Sequence, residues 1–419
     1  MANFRIPYGK THLTFDIPDS FHTQILAPAP ISAAPDPAHA VNHALDNPVG
    51  GVRLENLARA RSVAIAINDK TRPVPLPILL PPLLRRLAAI GAPKNAITFV
   101  IANGVHPPMT QNEFGTILPA DLLTDYRVVS HNAEDRTSLV DLGETQRGTP
   151  VWINRNYVNA DLRIVVGNLE PHQFMGFSGG VKTAAVGVCG KETINHNHAM
   201  MLDPRANIAR YDDNPARQDV EEIGKRIGVH FALNALINEN KQIVHVIAGD
   251  PHAVMPRAIP RVMELYQVRV SEPFDLMITS PGGHPKDINL YQSQKALAHA
   301  TFVTKEGGTV ILAAACPEGT GSQAYEDWVA GMKTHEQVLA RFKREGFRVG
   351  PHKAFQISRD AARERVLFIT DMPHDFVKRL LLTPCESLDT ALAIVLRDLP
   401  KDARVGILPW GNATIPVLG

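Results

Sequence analysis

Polar residues that could carry out chemistry follow four apolar stretches of the sequence. Each stretch has the length and composition of a buried strand. The four polar segments are Asn68-Asp69-Lys70-Thr71-Arg72-Pro73, Asn103-Gly104-Val105-His106, Gly167-Asn168-Leu169-Glu170-Pro171-His172 and Ser280-Pro281-Gly282-Gly283-His284-Pro285. In open parallel sheets, ligands bind outside the carboxyl ends of the strands. The four segments are therefore the first candidates for a ligand site.

Two of these segments end in a histidine, and each histidine follows a turn that contains glycine. They are His106 and His172. Because imidazole titrates near neutral pH, histidine is the side chain most often used as a general acid or base. A single histidine after a strand is more often structural. The repetition of the pattern makes these two residues candidates for an acid–base pair.

The first segment places a carboxylate, a hydroxyl and a guanidinium at Asp69, Thr71 and Arg72, just before a predicted helix with early prolines. Arg72 and the free N–H groups of that helix would suit a phosphate or a carboxylate. The alternative is that Asp69 and Thr71 only cap the helix, as these residue types often do. Taken alone, the segment favours the cap.

A lysine follows a glycine turn in Ser178-Gly179-Gly180-Val181-Lys182. The backbone N–H groups of Ser178, Gly179 and Gly180 could form an anion-binding nest, although the spacing is not that of a Walker loop. Small and apolar neighbours could lower the pKa of Lys182 and suit it to covalent attachment. The residues alone favour a simpler alternative, a phosphate-binding or solvated lysine.

Two further patterns indicate ligand binding. His196 and His198 form an H-x-H pair, whose side chains would face one side of a strand but diverge on a helix. Since a closed zinc site needs more ligands than these, a metal carried mostly by a cofactor and held by one imidazole remains open. Gln292 and Lys295 would share one face of a helix and could bind a carboxylate, the alternative being an exposed amphipathic helix.

Short apolar strands alternate with helical stretches along the chain, which predicts an α/β fold of mostly parallel sheets flanked by helices. A chain of 419 residues exceeds the size of one hydrophobic core, so we expect two domains. The prediction is a cofactor-binding and catalytic domain at 1–271, which 400–419 could complete, and a second α/β domain at 272–399. The active site is expected in the cleft between them.

The composition limits the kinds of partner that the chain is expected to bind. The chain has 43 basic and 42 acidic residues and a formal charge of +1, which gives no general attraction to nucleic acid or to an anionic membrane. No signal-peptide pattern is visible in Met1 to Asp19, and no apolar run approaches the roughly 20 residues that span a bilayer. Three scattered cysteines form no disulfide framework. These features favour a cytoplasmic protein.

Taken together, the motifs resemble the nickel-pincer-nucleotide-dependent lactate racemase family, from about Asp46 to Ala300. The resemblance rests on the order and spacing of six motifs. They are Asp69-Lys70-Thr71-Arg72-Pro73, Gly104-Val105-His106, Glu170-Pro171-His172, Gly176 to Lys182, Gly190-Lys191-Glu192-Thr193 with Asn197-His198, and Tyr291-Gln292-Ser293-Gln294-Lys295.

The resemblance implies a racemase or epimerase of a small-molecule 2-hydroxy acid. Its cofactor would be nickel in pyridinium-3-thioamide-5-thiocarboxylic acid mononucleotide, the nickel-pincer nucleotide, and cofactor-biosynthesis proteins would be transient partners. Lys182 would bind the cofactor covalently and His198 would coordinate nickel. The implied acid–base pair is His106 and His172. The other implied residues are Asp69, Thr71, Arg72, Ser178, Gly179 and Gly180 at the cofactor, and Arg72, Gln292 and Lys295 at the substrate.

The chain departs from the family pattern at three places. Pro107 stands where an arginine is frequent, Val186 stands where a proline is common, and the surroundings of Trp328 do not match those of the tryptophan that some members place near the substrate. We therefore expect a larger or more polar hydroxy acid than lactate. The alternatives are a C2 epimerase of a larger sugar acid with the same cofactor, a non-catalytic nickel-nucleotide binding protein, and a metal hydrolase.

Overall fold

The predicted alternation of strands and helices is present in the computed structural model, which describes residues 1–28, 31–57, 60–72, 74–238 and 240–419. Pro73, the last residue of the first motif, lies outside the described residues. The strands are β1 Ala2–Tyr8, β2 Thr11–Ile17, β3 His22–Ile25, β4 Val63–Asn68, β5 Ile97–Ala102, β6 Arg127–Ser130, β7 Leu139–Glu144, β8 Pro150–Asn154, β9 Leu162–Asn168, β10 Pro171–His172, β11 Gly176–Phe177, β12 Phe231–Ile237, β13 Ile243–Gly249, β14 Gln267–Val270, β15 Phe274–Thr279, β16 Thr304–Ala313, β17 Arg365–Ile369, β18 Thr383–Cys385, β19 Arg404–Leu408 and β20 Ile415–Leu418.

The helices alternate with these strands. They are α1 Pro37–Asp46, α2 Leu76–Ala89, α3 Ala120–Asp125, α4 Arg155–Val158, α5 Lys182–Ala185, α6 Lys191–Ala199, α7 Pro215–Ile227, α8 Val254–Tyr266, α9 Leu290–Thr301, α10 Gln323–Val329, α11 His335–Glu345, α12 Pro351–Ala361, α13 His374–Arg379 and α14 Leu388–Asp398. Among the described residues, no helix is both long and apolar enough to cross a bilayer.

The first sheet has the strand order β13-β12-β9-β4-β5-β6. All neighbouring pairs are parallel except β12 with β13. Every residue of β4 is buried, because helices cover both faces of the sheet. Full burial explains why these strands are continuous apolar runs rather than alternating ones. The core beneath them is built from strand residues such as Ile65 and Ile101 and helix residues such as Leu80.

The second sheet has the order β18-β17-β16-β15-β19-β3, and all of its strand pairs are parallel. Its core contains Ile278 and Ile311 together with Ile6 and Phe15 of the N-terminal hairpin β1–β2. The α/β fold with parallel sheets and flanking helices is therefore confirmed.

The division of the chain differs from the predicted one. One unit consists of Met1–Ala29 and Tyr266–Gly419, and the other of Pro30–Leu265. The assignment of the first 29 residues to the catalytic domain was wrong, because β3 pairs with β19 in the second sheet. The prediction that 400–419 could complete the first domain was also wrong, since β19 pairs with β15 and β20 with β14. The internal boundary lies at Tyr266 rather than at Glu272.

Two helical segments also differ from expectation. The predicted stretch from Tyr325 to Glu345 is two helices, α10 and α11, with Gly331 at a φ of 77° between them. Helix α12 was not predicted. Its interior contains buried polar residues, including Lys353 and Gln356, which hide the apolar stripe by which an amphipathic helix is recognised.

Parallel pairing brings the carboxyl ends of β4, β5 and β9 to one edge of the first sheet, as predicted from the positions of the motifs. A layer of buried asparagines lies at this edge, and Asn68 donates a hydrogen bond of 3.0 Å to Asn168. The next strand, β6, ends at the buried His131, whose Nε2 lies 2.8 Å from the carbonyl oxygen of Cys189. His131 thus connects the sheet edge to the segment that follows α5.

We expect His131 to make stability depend on pH. Burial lowers the pKa of His131 to about 4, below the value of about 6.5 in an unfolded chain. The unfolded chain therefore binds a proton first as the pH falls, and the free energy of unfolding decreases between about pH 6.5 and about pH 4. Between about pH 7 and about pH 5, the decrease in the free energy of unfolding should be about 2 kcal/mol smaller in His131→Gln than in the unchanged protein. Urea unfolding of the unchanged protein and of His131→Gln at both pH values measures this difference. An equal decrease in the free energy of unfolding of the two proteins would contradict the prediction.

Candidate active site

Lys182 begins α5, a single helical turn that rests on the carboxyl ends of the strands. Helix α5 can approach this closely because Gly167 of β9 has no side chain: a Cβ there would lie 2.9 Å from Oγ1 of Thr183. Lys182 is 8% exposed. The sequence pattern of small residues around the lysine thus corresponds to close packing of helix on strand.

The turn before Lys182 is stabilised within the protein. Gly179 and Gly180 have φ values of 88° and 58°, and a Cβ on Gly179 would lie 2.4 Å from the side chain of Leu169. The N–H of Ser178 donates to the carbonyl of Glu170, and the N–H of Gly180 donates to Oδ1 of Asn234. The predicted anion nest is therefore wrong for these two N–H groups, because both are already hydrogen bonded.

His106 is held by the carboxylate of Asp69. Nδ1 of His106 lies 2.8 Å from Oδ2 of Asp69, and the other carboxylate oxygen accepts hydrogen bonds from the hydroxyl and the N–H of Thr71. The side chain of Asp69 is 4% exposed and that of His106 is 48% exposed. An exposed imidazole with a buried carboxylate behind it is the arrangement that orients a catalytic base.

The environment of Asp69 keeps it ionised. Burial alone would raise the pKa of Asp69, but hydrogen bonds from His106 and Thr71 outweigh burial and lower it. The alternative role as a helix cap is wrong, because α2 begins at Leu76 and the residue before it is Pro75, which makes no side-chain cap. The adjacent Arg72 forms an ion pair of 3.0 Å with Glu170, which follows β9. The first and third motifs are therefore in direct contact.

The ring of Phe174 lies between two of the predicted histidines. Its centroid is 5.0 Å from that of His172 and 5.0 Å from that of His198, with edge-to-face geometry in both cases. Nδ1 of His172 accepts the N–H of Met175 at 3.3 Å. The candidate acid–base residue His172 and the candidate metal ligand His198 thus contact the same aromatic ring.

His196 and His198 lie on helix α6 and diverge, as the helical alternative predicted. Nδ1 of the exposed His196 lies 2.9 Å from the hydroxyl of Thr149. Nδ1 of His198 lies 3.2 Å from Oδ1 of Asn197, the oxygen that can only accept, so this nitrogen carries the proton. Burial, followed by the positive charges of Lys182 and Arg72, lowers the pKa of His198 to about 3. His198 is therefore a neutral imidazole whose Nε2 carries the lone pair.

This donor set fits a metal that brings most of its own ligands. Within the described parts of the chain, no group of three His, Cys, Asp or Glu residues is arranged to hold a metal ion. A protein-held zinc ion needs three or four such ligands. One neutral imidazole next to one buried lysine instead suits a metal chelated by an organic cofactor that is joined to the lysine.

Gln292 and Lys295 lie on α9 in the other unit. Nζ of Lys295 donates to Oε1 of Gln292 at 3.1 Å, so the predicted common helix face is confirmed. The side chain of Asn289 caps this helix by accepting the N–H of Gln292. The role of these two residues in substrate binding remains a prediction.

Comparison with known proteins identifies the family. Residues 8–209 match the family model of the lactate racemase N-terminal domain, and residues 270–416 match that of the lactate racemase C-terminal domain. The chain is 31% identical to a lactate racemase of Thermoanaerobacterium thermosaccharolyticum over 99% of both chains. It is 30% identical to a lactate racemase of Lactiplantibacillus plantarum over 99% of this chain and 100% of the relative. The chain belongs to the lactate racemase family.

The solved structures agree with this family assignment. The lactate racemase apoprotein of Thermoanaerobacterium thermosaccharolyticum matches with a TM-score of 0.92, covering 99% of this chain and 100% of that one at 31% identity. A protein from Thermotoga maritima has the same fold, with a TM-score of 0.65 and 18% identity over 91% of this chain and 98% of that one. This member of the lactate racemase family is a racemase and therefore an isomerase.

Three residues of this family member's site were not predicted from the sequence as contributors. Phe174 contacts both histidines, Asn197 orients His198, and Glu170 pairs with Arg72. Phe174 and Glu170 lie within four residues of His172, and Asn197 is adjacent to His198. Proximity to a candidate residue was therefore the available signal.

We expect Asp69→Asn to decrease racemisation by roughly 10²–10⁴-fold, the usual range for losing an acid–base group. The amide would present N–H groups to Nδ1 of His106 and favour the tautomer with the proton on Nε2. Initial rates in both directions check this with fully loaded protein.

The chain contains a matched control for this substitution. Asp135 accepts the N–H and hydroxyl of Thr137, just as Asp69 accepts those of Thr71, but it contacts no histidine in the described structure. Asp135→Asn should therefore retain activity. Equal rates in the two variants would exclude the proposed orientation of His106 by Asp69.

Proposed function

We propose that this chain racemises or epimerises a 2-hydroxy acid with the nickel-pincer nucleotide, joined to Lys182 and coordinated through nickel by His198. The observation that carries the proposal is the opposite hydrogen bonding of the two histidines. Nδ1 of His106 faces a carboxylate, so Nε2 is left as a base. Nδ1 of His172 accepts a backbone N–H, so the neutral ring carries its proton on Nε2. His172 would act as an acid once Nδ1 also takes a proton and releases this bond. One base and one acid are what the reaction needs at each turnover.

The cofactor would supply the chemistry that the side chains lack, by accepting the α-hydrogen of the substrate as hydride and returning it to either face. The α-hydrogen of a 2-hydroxy acid is barely acidic beside a carboxylate, so a histidine alone would not remove it as a proton. Lys182 and His198 are the residues that would hold the cofactor. The burial of Lys182 and the neutral imidazole of His198 support this assignment.

The histidines would move the hydroxyl proton. One imidazole takes this proton as the α-hydrogen leaves, which gives a planar 2-keto acid. The second histidine, which starts each turnover as an imidazolium, would supply the proton when the keto acid is reduced on its other face and would end as the neutral imidazole. His106 is suited to carry the positive charge that it gains with this proton, because the carboxylate of Asp69 lies beside its ring. The charged form of His106 that ends the reaction in one direction is the form that starts the reaction in the reverse direction.

Cationic and amide groups would bind the substrate carboxylate and its hydroxyl oxygen. Arg72 is one candidate, and its bond to Glu170 orients the guanidinium. Gln292 and Lys295 are the other proposed contacts. The named relatives are lactate racemases. We propose a larger or more polar 2-hydroxy acid for this chain, because Pro107 and Val186 depart from the family pattern.

The alternative functions differ from this proposal in the substrate or in the residues that they need. A C2 epimerase of a larger sugar acid would use the same residues and differs only in substrate. A non-catalytic carrier of the nickel nucleotide would not need two oppositely hydrogen-bonded imidazoles. A zinc hydrolase would need a ligand cluster that the described residues do not provide.

The remaining assignments rest on composition and on the free thiols. We propose a cytoplasmic location, since Cys189, Cys316 and Cys385 are buried and form no disulfide in the described structure. Proteins that synthesise the cofactor would be transient partners, and the near-zero net charge favours neither nucleic acid nor membrane as a partner.

A panel of chiral 2-hydroxy acids, tested in ordinary and deuterated water, checks the function. The cofactor-loaded protein should interconvert the two forms of at least one acid while the hydrogen at C2 is retained, because a hydride does not exchange with solvent. Chiral chromatography and mass spectrometry measure both quantities. His106→Ala and His172→Ala should each lower the rate by roughly 10²–10⁴-fold with nickel still bound. Incorporation of deuterium at C2 would instead indicate proton abstraction.

Intact-mass analysis of protein made with the cofactor pathway should show an adduct on Lys182. Lys182→Arg keeps the charge but should abolish both the adduct and the bound nickel, since a guanidinium cannot form the thioamide. Lys191→Arg is the control, because Lys191 lies on the surface in an ion pair with Glu134 and should not affect the adduct. An unmodified Lys182 in the active wild-type protein would refute covalent attachment.

A further inference from the structure

Helix α7 carries three buried ionisable side chains that the proposed reaction does not use. Arg217 and Asp219 are 0% exposed and Glu221 is 6% exposed. Burying a charge is costly unless it is paired and hydrogen bonded, so each of these groups must be matched by its surroundings. Residues 217 and 221 share one side of the helix, whereas residue 219 lies about 200° away from residue 217. The helix therefore presents polar groups in two directions.

The first direction is toward the turn that precedes Lys182. Arg217 donates to the carbonyl of Phe177 at 3.1 Å and to the carbonyl of Gly179 through both terminal nitrogens at 3.3 Å. These two carbonyls flank Ser178. Helix α7 also packs directly against the turn, because Gly224 has no side chain: a Cβ there would lie 2.5 Å from Cβ of Val181. Arg217 thus fixes the backbone from which Lys182 projects.

The second direction is toward helix α6, which carries His198. Asp219 accepts Nδ2 of Asn197 at 2.9 Å, and Oδ1 of Asn197 faces Nδ1 of His198. The other partners of the Asp219 carboxylate are the hydroxyls of Thr145 and Thr149. Among the described residues Asp219 forms no ion pair. Nδ2 of Asn197 also donates to the carbonyl of Ala216 at 2.9 Å, so Asp219 and this carbonyl together turn Oδ1 of Asn197 toward His198, which sets the nitrogen of His198 that keeps the lone pair.

Glu221 matches the charge of Arg217. Its carboxylate accepts Nε of Arg217 at 3.1 Å and lies 2.6 Å from Nδ1 of His252. Burial would raise the pKa of Glu221, but the charge of Arg217 and the hydrogen bond to His252 outweigh burial and lower it. The guanidinium is thus held in one orientation from both sides.

We propose that α7 is a brace, a helix that holds the two residues that would anchor the cofactor, Lys182 and His198, in a fixed relative position. Arg217 positions the turn before Lys182, and Asp219 positions His198 through Asn197. This inference rests on the proposed function, since it assumes that Lys182 and His198 are the anchors. Neither Arg217 nor Asp219 touches the reacting atoms, so both are positioning residues. Buried ion pairs often add little stability compared with apolar residues of the same volume. The specific orientation of the two anchors is what these charges provide.

Arg217→Lys tests the first half of the brace. Lysine keeps the charge but loses the planar fork that reaches two carbonyls. In the apoprotein, hydrogen exchange of the amides from Gly179 to Lys182 should become roughly tenfold faster, because hydrogen bonds from a charged group are lost. The fraction of Lys182 that carries the adduct should fall when the cofactor pathway is present. The control is Arg226→Lys, the same substitution at an exposed position of α7.

Asp219→Asn tests the second half. The carboxamide is nearly the same shape, but it cannot accept at both positions, so the amide of Asn197 and the imidazole of His198 lose their fixed orientation. Loss of such an outer hydrogen bond typically weakens metal binding by about 10–100-fold. The variant should therefore lose nickel faster to a chelator, measured by elemental analysis, while the adduct on Lys182 stays. Glu222→Gln on the same helix is the control, since Glu222 bonds to Gln146 N–H and not to α6.

The outcomes separate the brace from the proposed function. Absence of an adduct in the wild-type protein refutes the proposed function, yet the exchange measurement on the apoprotein still tests Arg217. Exchange equal to that of Arg226→Lys overturns the role of Arg217, and nickel retention equal to that of Glu222→Gln overturns the role of Asp219. If Arg217→Lys fails to fold, Glu221→Gln serves with the same readouts, because it weakens the hold on Arg217 and leaves the guanidinium in place.

Discussion

The candidate site depends on one steric constraint, the close contact of α5 with the carboxyl ends of the first sheet. Gly167 has no side chain, so Thr183 can lie against β9 and Lys182 starts its helix directly above the strand ends. On the other side, Gly187 has the same function: a Cβ there would lie 2.5 Å from the side chain of Ala102. Two glycines therefore fix the position of the lysine relative to β5 and β9. His106 follows β5 and His172 follows β9, so the positions of both histidines relative to the lysine depend on the same contact.

Hydrogen bonding then determines what each imidazole can do. The three histidines of the site have different partners at Nδ1: a carboxylate for His106, a backbone N–H for His172 and an amide oxygen for His198. The same side chain thus occurs in two tautomers, with the proton on Nδ1 in His106 and His198 and on Nε2 in His172. This differentiation does not require three different residue types, only three different neighbours.

Much of the fold could be predicted because parallel strands buried on both faces are continuous apolar runs. Asp69, His106 and His172 were likewise predictable as candidates, since they follow those runs closely. Lys182 and His198 lie on helices, and their roles were predicted from the resemblance to the family. The hydrogen bonds that give them their roles were not, because Asp69 and His106 are 37 positions apart in the chain. Helix α7 illustrates the limit most clearly. Its charged residues have the pattern of a solvated helix face, yet Arg217 and Asp219 are buried by segments distant in sequence.

The placement of the first strands has a consequence for how the chain is assembled during synthesis. Strand β3 leaves the ribosome well before its partner β19, which is Arg404–Leu408. The unit made of Pro30–Leu265 pairs its sheet strands within itself and can fold once it has emerged, whereas the unit that contains β3 must await the synthesis of β19. During that interval the amino-terminal strands have exposed edges, which is the condition under which strands pair with the wrong neighbour. The unit that carries Lys182 does not depend on this late pairing, because β3 and β19 both belong to the other unit.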